Sequence, residues 1–442
     1  MQTHTQSMPI CPMRHHFNTG IFGNARPVFG TLALVVFFVF DLQSVLAAPN
    51  ELVLQMDTGL RTDSNPFRFT DDATPQASLG TLKKSDSIFS VDVRAAGIVP
   101  LDSPETRLLL SGQLGKRDYQ QFSQLDNQDG SYRTAFQWRF GDLWRGEVLR
   151  SSQTQLYQYL DGSFTQKAML RTELTSAEVA LKITPEVQLP ATISRQTLRF
   201  ENAVLNPNDR NDTVVDVGAR WDSSLGSTLR TGFRSTQTHF LNRSDTQIAL
   251  LDSGYRDREL YLSTDWQYSV MSRVGGRLGY VHRNYSVLGS RNFSVLNAEL
   301  LATYDYSPLT RFTASIWNRP VGTTDVNTLY TINTGGQLGV RWAATPKTRL
   351  TLQAAEELQR YQSTVLGSSV SNPELRRTRL GGSVVHAFTP DIRVYAEGFR
   401  EKLDRGSLGS AINQTSIRLG LEYTYESLRD GALRTGLGER RQ

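Results

Sequence analysis

The sequence has few residues that could support metal or thiol chemistry. Its single cysteine, Cys11, lies before an apolar run, within a segment that we expect to be removed. Beyond that segment the histidines are His239, His282 and His386, and their spacing does not match a metal site. A Gly-x-Ser-x-Gly elbow is also missing. The sequence therefore predicts a protein that is not an enzyme, with no metal or cofactor and no disulfide bond.

Long apolar runs are scarce as well. One run covers residues 28–40; Arg14 and Arg26 precede it, and the small pair Ala47-Ala48 follows it. A positive segment, an apolar core and small residues make a secretory signal, so we expect residues 1–47 to be a signal peptide. A membrane anchor is the alternative, but the run is short for a spanning helix and Asp41 ends it. The sequence shows no second run of about 18 apolar residues.

The charge balance excludes little by itself. The chain has 48 Lys+Arg and 43 Asp+Glu, and a net charge of +5 does not indicate a nucleic-acid binder. The mean hydropathy is −0.38, yet aromatics make up 10% of the residues and glycine occurs 34 times. This combination is typical of a membrane barrel whose strands alternate lipid-facing and water-facing residues.

The distribution of turn residues predicts the topology. Segments of alternating polarity are joined by short turns and by longer polar loops in alternation. The short connections are Pro100–Glu105, Gly141–Trp144, Thr184–Glu186, Ser223–Gly226, Met271–Arg273, Tyr306–Thr310, Thr345–Lys347 and Thr389–Asp391. With a first strand at Leu52–Leu60 and a last at Thr415–Tyr425, the hairpins give about 18 strands. Thr165–Ile183 fits either one long strand or a strand preceded by a folded loop.

We therefore predict an all-β protein, a transmembrane antiparallel barrel of the outer membrane. The barrel covers residues 48–426, with short periplasmic turns and long extracellular loops, and residues 427–442 form a basic periplasmic tail. Outer-membrane lipid and the barrel assembly machinery are its expected partners, with Tyr423 and Tyr425 as an internal assembly signal. Nucleic acid is not an expected partner.

The alternation of side chains along each predicted strand places a set of arginines on the lumen face. They are Arg133, Arg139, Arg220, Arg230, Arg234, Arg277, Arg341, Arg377, Arg379 and Arg418. Fewer acids face them by the same parity, namely Asp57, Asp92, Asp216, Asp265 and Glu422. The planar arginine fork suits carboxylates and phosphates, so these arginines are candidate contacts for anions and for sugars with uronic or acyl groups. The alternative interpretation is that they pair with inward acids and stabilise the wall.

A short motif follows the first strand. It reads Asp63-Ser64-Asn65-Pro66-Phe67-Arg68. A strand running into Asp-Ser-Asn-x-Phe-Arg resembles the start of the Eps-type (EpsL-like) outer-membrane proteins of exosortase-linked exopolysaccharide biosynthesis. The match rests on Asp63, Ser64, Asn65, Phe67 and Arg68. The resemblance implies a role in exopolysaccharide biosynthesis and export, as a conduit for the polymer. It also implies extracellular polysaccharide and the synthesis and export machinery as partners.

Two other functions fit the same residues. An anion-preferring diffusion porin would need a constriction loop, which Phe67-Arg68-Phe69 in the first loop could form. A lectin-like barrel that tethers polysaccharide would use aromatic residues in the outer loops. The candidates for that role are Tyr119, Phe122, Tyr157, Tyr159 and Phe240.

Overall fold

The computed structural model describes residues 51–73, 75–103, 105–157, 165–322, 328–363, 374–406 and 409–427. In this part of the chain 18 strands form a single sheet. Each strand pairs antiparallel with the next, and β1 pairs with both β2 and β18, so the sheet closes into a barrel. The predicted signal peptide and residues 428–442 of the predicted tail lie outside the described residues.

The strands in chain order are β1 (Glu51–Asp63), β2 (Asp86–Ser103), β3 (Thr106–Tyr119), β4 (Asn127–Phe140), β5 (Trp144–Leu156), β6 (Met169–Lys182), β7 (Val187–Phe200), β8 (Arg210–Asp222), β9 (Thr228–Phe240), β10 (Gly254–Gln267), β11 (Ser272–Tyr285), β12 (Phe293–Ser307), β13 (Thr310–Gly322), β14 (Thr328–Thr345), β15 (Thr348–Ser363), β16 (Glu374–Ala387), β17 (Ile392–Asp404) and β18 (Ile412–Glu426). The predicted fold class is confirmed. All eight predicted short turns coincide with the short connections of the barrel.

Strand ends at the long-loop side differ from the prediction. β1 continues to Asp63 instead of ending at Leu60, and β18 begins at Ile412 instead of Thr415. β6 begins at Met169, so the ambiguous stretch is a strand preceded by a loop. Spanning takes only about 9–11 residues per strand, so these longer strands carry polar residues at one end, where the sequence resembles a loop.

The two faces of the sheet differ sharply in character. On β18 the exposed fraction is 57% for Ile417 and 60% for Leu419, but only 4% for Arg418 between them. Near the short turns the outer face carries aromatic residues, and Trp221 stacks on Trp266 with 6.3 Å between ring centroids. Because successive side chains of a strand point to opposite faces, one face is a continuous apolar exterior and the other lines the lumen.

Small apolar clusters organise the loops at the opposite end. Phe67, Phe69, Phe122 and Leu125 form one buried cluster between the first two long loops. Phe240, Tyr255 and Tyr285 form another. Two short helices, Gln76–Leu79 and Asp245–Leu251, lie within these loops. The described residues contain no helix that is long and apolar enough to cross a membrane.

Candidate functional site in the barrel lumen

The structure places all ten predicted arginines on the lumen face. Arg418 alternates with the outward Ile417 and Leu419, and the strand pairings carry this alternation around the barrel. Arg133 borders a cavity of about 370 Å³ on the β2–β7 wall. Arg139 borders one of about 600 Å³ at the short-turn end. Arg341 lies directly opposite Arg311 on the neighbouring strand.

The acids on the lumen face are more numerous than the sequence parity suggested. Beyond the five predicted ones, inward carboxylates contact inward arginines at Glu147, Asp257, Glu259, Asp305, Glu397 and Glu401. The expected scarcity of facing acids was therefore wrong. The sequence did not predict these acids, because alternation within a short segment gives the face only of the residues in that segment. The pairing register of the strands gives the face of every residue.

The first group on the wall is the Tyr261 cluster, formed by Tyr261, Asp216, Glu259, Arg230, Arg234 and Arg277. The Tyr261 hydroxyl donates to Asp216 at 2.7 Å, and the guanidinium carbon of Arg277 lies 3.8 Å from the ring centroid. Arg230 and Arg234 each approach Asp216 at 2.7 Å. Since Gly232 faces the Tyr261 hydroxyl, any larger residue there would displace the ring. The ring is thus fixed flat on the wall and is unavailable for stacking on a sugar.

The second group surrounds Arg418, the most buried of the ten arginines. Arg418 contacts Asp57 closely, and its ion pairs to Glu397 and Asp92 measure 3.5 and 3.7 Å. Arg117 in turn pairs with Asp92 at 2.8 Å. This Arg418 cluster joins β17, β18, β1, β2 and β3 across the closure of the barrel. The wall-stabilising interpretation of the arginines applies here.

The third group lies at the long-loop end, where loop 1 (residues 64–85) folds against the inner wall. Arg68 in this loop contacts Glu401 on β17 at 2.6 Å. Arg377 and Arg379 approach the same carboxyl group at 3.8 and 4.0 Å. Burial lowers the pKa of the Arg68 guanidinium, and the nearby Glu401 opposes that effect. The Glu401 cluster thus places three guanidinium groups on one carboxylate.

Every residue of the predicted motif helps to fix loop 1. Asp63 accepts from the Gln414 amide at 2.8 Å, and Asn65 donates to the carbonyl of Phe69 at 2.8 Å. Ser64 accepts from the backbone of β18, and Phe67 is only 1% exposed. Arg68 adopts a left-handed backbone with φ of 59°, which turns its side chain toward the Glu401 cluster.

Beside the Glu401 cluster lies an open cavity of about 110 Å³ in the wall. Arg61, Arg379 and Arg418 border it, together with Glu397 and Phe399. The guanidinium carbon of Arg379 lies 4.1 Å from the centroid of the Phe399 ring, and its side chain remains 44% exposed. The long 4.0 Å ion pair leaves the planar fork of Arg379 open to a solute.

The aromatic residues proposed for sugar binding in the loops are mostly inaccessible. Phe122 is 2% and Phe240 is 8% exposed. Tyr119 packs against the Phe67 cluster, and Tyr157 contacts the Phe200 ring edge-on at 5.2 Å between centroids. Tyr159 lies outside the described residues. The four described side chains pack against other aromatic residues.

One pair on the outer wall resembles part of a hydrolytic site. His282 and Ser294 are opposite each other on β11 and β12, with 2.8 Å between Nδ1 and Oγ. Among the described residues no group bonds the other ring nitrogen, and Arg258 is the other cross-strand neighbour of His282. The described residues also contain no group of three His, Cys, Asp or Glu placed to hold a metal. The pair lacks the third group that orients a catalytic histidine.

An apolar exterior, an ionic interior and a closed sheet of 18 antiparallel strands define an outer-membrane β-barrel. No family model matches the sequence, and no curated protein matches it. Among solved structures, OccK2 (OpdF) of Pseudomonas aeruginosa in complex with glucuronate is similar at 11% identity and a TM-score of 0.48, covering 86% of this chain and 99% of that chain. OccAB3 of Acinetobacter baumannii has 7% identity and a TM-score of 0.49 over 85% and 99%. The siderophore receptor PirA of Pseudomonas aeruginosa has 8% identity and a TM-score of 0.41 over 85% and 81%.

Proposed function

We propose that this barrel is an anion-preferring diffusion channel for small organic acids, including sugar acids. The observation that supports it is the Glu401 cluster, where three guanidinium groups surround one carboxylate at the extracellular end. Arginine stays charged at any physiological pH, so this end of the lumen keeps a positive surplus. A charged entrance raises the local concentration of solutes of opposite charge.

Loop 1 supplies the constriction that a selective channel needs. It lies against the inner wall of β17 and β18, tied down by Arg68 and by the amide of Asn65, which reaches the carbonyl of Asn413 at 3.2 Å. A solute passing this end therefore moves close to Arg379 and Phe399, which border the open cavity. An arginine fork over an aromatic ring suits a carboxylate carried on a sugar ring.

Block of single-channel current by galacturonate, with galactose as the neutral comparison, tests this proposal. We expect galacturonate to block the wild-type channel at lower concentration than galactose. The double variant Arg377→Gln/Arg379→Gln should weaken the galacturonate block about tenfold, as expected for the loss of charge-assisted bonds. The matched control is Arg376→Gln/Arg400→Gln, which removes the same charge from the outward face of β16 and the neighbouring β17. Equal block by the two sugars, or equal loss in both variants, would contradict the proposal.

A second candidate is the polymer conduit that the exopolysaccharide resemblance implies. The specific observation in its favour is that the motif residues Asp63–Arg68 all anchor loop 1. A polymer would have to displace this loop, so the motif would act as a gate. Deletion of the gene distinguishes the two candidates, because trapped or absent exopolysaccharide supports the conduit and an unchanged distribution supports the diffusion channel.

A further inference from the structure

The outer face of β5, β6 and β7 changes character along the strands. Near the short turns it is apolar, with Val148, Leu189 and Ile193 all exposed. Farther along, the positions on the same outward face carry charge. These residues, called here the outward arginine cluster, are Arg150, Arg171, Glu173, Arg195 and Arg199.

Among the described residues, Glu173 is the one acid that forms an ion pair with the outward arginine cluster. Arg171 pairs with Glu173 at 2.5 Å, and Arg150 reaches the same carboxyl group only at 4.0 Å. The side chains of Arg150 and Arg171 are 62% and 54% exposed. Arg150 also donates to the hydroxyl of Tyr132 at 3.3 Å. Asp209 also interacts electrostatically with Arg199, so the described residues give four guanidinium groups against two carboxylates, a surplus of two positive charges.

The strand register makes this surplus unfavourable for the isolated barrel. Arg171 and Arg199 are directly opposite each other on β6 and β7, and like charges at such positions destabilise a sheet. Arg195 is exposed and forms no ion pair with any described residue. An anion bound to these arginines would remove the repulsion between them. Contact of the arginines with hydrocarbon would instead destabilise the barrel by a few kcal/mol per charge.

The position of the cluster along the strands indicates which anion can reach it. β6 and β7 have 14 residues each, and about 9–11 suffice to cross the hydrocarbon. Arg171 and Arg199 lie near the long-loop ends of β6 and β7, beyond the apolar band, at the level of the lipid headgroups. Arg150 and Arg195 lie nearer the middle of β5 and β7, and their long side chains can extend toward the same level. The outer leaflet of this membrane consists of phosphorylated glycolipid, and the arginine fork binds phosphate with two parallel bonds.

We propose that the outward arginine cluster on β5–β7 binds the phosphate groups of the phosphorylated glycolipid in the outer leaflet. The strands fix the backbone positions of the four arginines, so binding costs only the conformational entropy of their side chains. The site is independent of the lumen, and it does not depend on the proposed channel function. It gives the barrel a fixed annular lipid on one side of its wall.

Native mass spectrometry of the detergent-solubilised barrel with added diphosphorylated lipid A tests this inference. We expect stable adducts with lipid A and at least about tenfold weaker binding of its dephosphorylated form, since charge-assisted bonds dominate. The variant Arg150→Gln/Arg171→Gln/Arg195→Gln/Arg199→Gln should lose these adducts. The control variant Arg133→Gln/Arg139→Gln/Arg220→Gln/Arg234→Gln removes the same charge from the lumen and should keep them.

Folding of both variants is checked by the heat-dependent gel mobility of intact barrels. If the outward variant does not fold, the variant with Lys at the same four positions keeps the charge, and its binding should fall below that of wild type because lysine lacks the two-pronged fork. Undiminished adducts in the folded outward variant would overturn the proposal. So would equal binding of dephosphorylated lipid A, or competition by inorganic phosphate at the concentration of the lipid, which would indicate a site for free phosphate.

Discussion

Arg418 and Arg133 both point into the lumen, yet burial gives them different roles. Arg418 is 4% exposed and lies among Asp57, Asp92 and Glu397. The Arg133 side chain is 52% exposed and has a single ion pair with Glu147, at 3.5 Å. Removing one member of a buried charge network leaves the others unpaired, whereas an exposed pair contributes little.

The first prediction compares these two residues. Arg418→Gln should lower the free energy of unfolding by about 3–5 kcal/mol, because three carboxylates lose their common partner. Arg133→Gln should lower it by less than about 1 kcal/mol. Urea unfolding in lipid vesicles, followed by tryptophan fluorescence, measures both. Equal losses in the two variants would show that the Arg418 cluster does not hold the barrel closure together.

At the scale of elements, loop 1 and the barrel wall are stabilised separately. The wall is held by the ladder of 18 paired strands. Loop 1 depends on a small cluster in which the rings of Phe67 and Phe122 meet at 5.0 Å between centroids, and on the Arg68–Glu401 ion pair. The loop can therefore be released without unfolding the barrel.

The second prediction follows from this separation. Phe67→Ala removes a fully buried ring, which costs about 3–5 kcal/mol in a packed core, and should free loop 1. We expect a larger single-channel conductance and new trypsin cleavage at Arg68, with unchanged heat resistance of the barrel. Leu82→Ala, in the same loop but 71% exposed, is the control and should change neither. Protection of Arg68 in the Phe67 variant would contradict the account of loop 1.

The third prediction concerns the chain beyond β18. The Ser427 backbone donates to the carbonyl of Leu52 at 2.9 Å, and its hydroxyl accepts from the Leu52 amide at 2.8 Å. A chain that ends at Ser427 keeps both bonds and should reach the outer membrane in normal amounts. A chain that ends at Tyr425 loses them and should assemble less well. Fractionation followed by heat-dependent gel mobility measures both, and poor assembly of the longer chain would assign a role to the basic tail.

Local pattern and long-range register explain what the sequence could predict. Alternation and turn residues act within a hairpin, so hairpins such as β10–β11 and the face of Arg277 follow from the sequence. Strand ends carry outward charges such as Arg171 and Arg199, which resemble loop residues in sequence. The meeting of Tyr261 with Asp216 two strands away depends on register around the barrel, which parity does not provide.

At the scale of the whole molecule, charge is unevenly distributed along the lumen. The Glu401 cluster at the long-loop end is rich in arginine. Around the Arg418 cluster, the carboxylates of Asp57, Asp92, Asp129 and Glu397 are balanced by Arg418, Arg117, Arg61 and Arg94. A solute would thus meet a positive entrance before a wall whose charges balance. This order favours the entry of anions.

The measurement that tests the central claim most directly is the reversal potential of the wild-type barrel in a planar bilayer under a potassium chloride gradient. The account predicts an open channel whose reversal potential has the sign of the chloride equilibrium potential. Low salt should strengthen this preference, since screening of the entrance charges is then weaker. A barrel that conducts no ions, or a reversal potential with the sign of the potassium equilibrium potential, would contradict an anion-preferring channel.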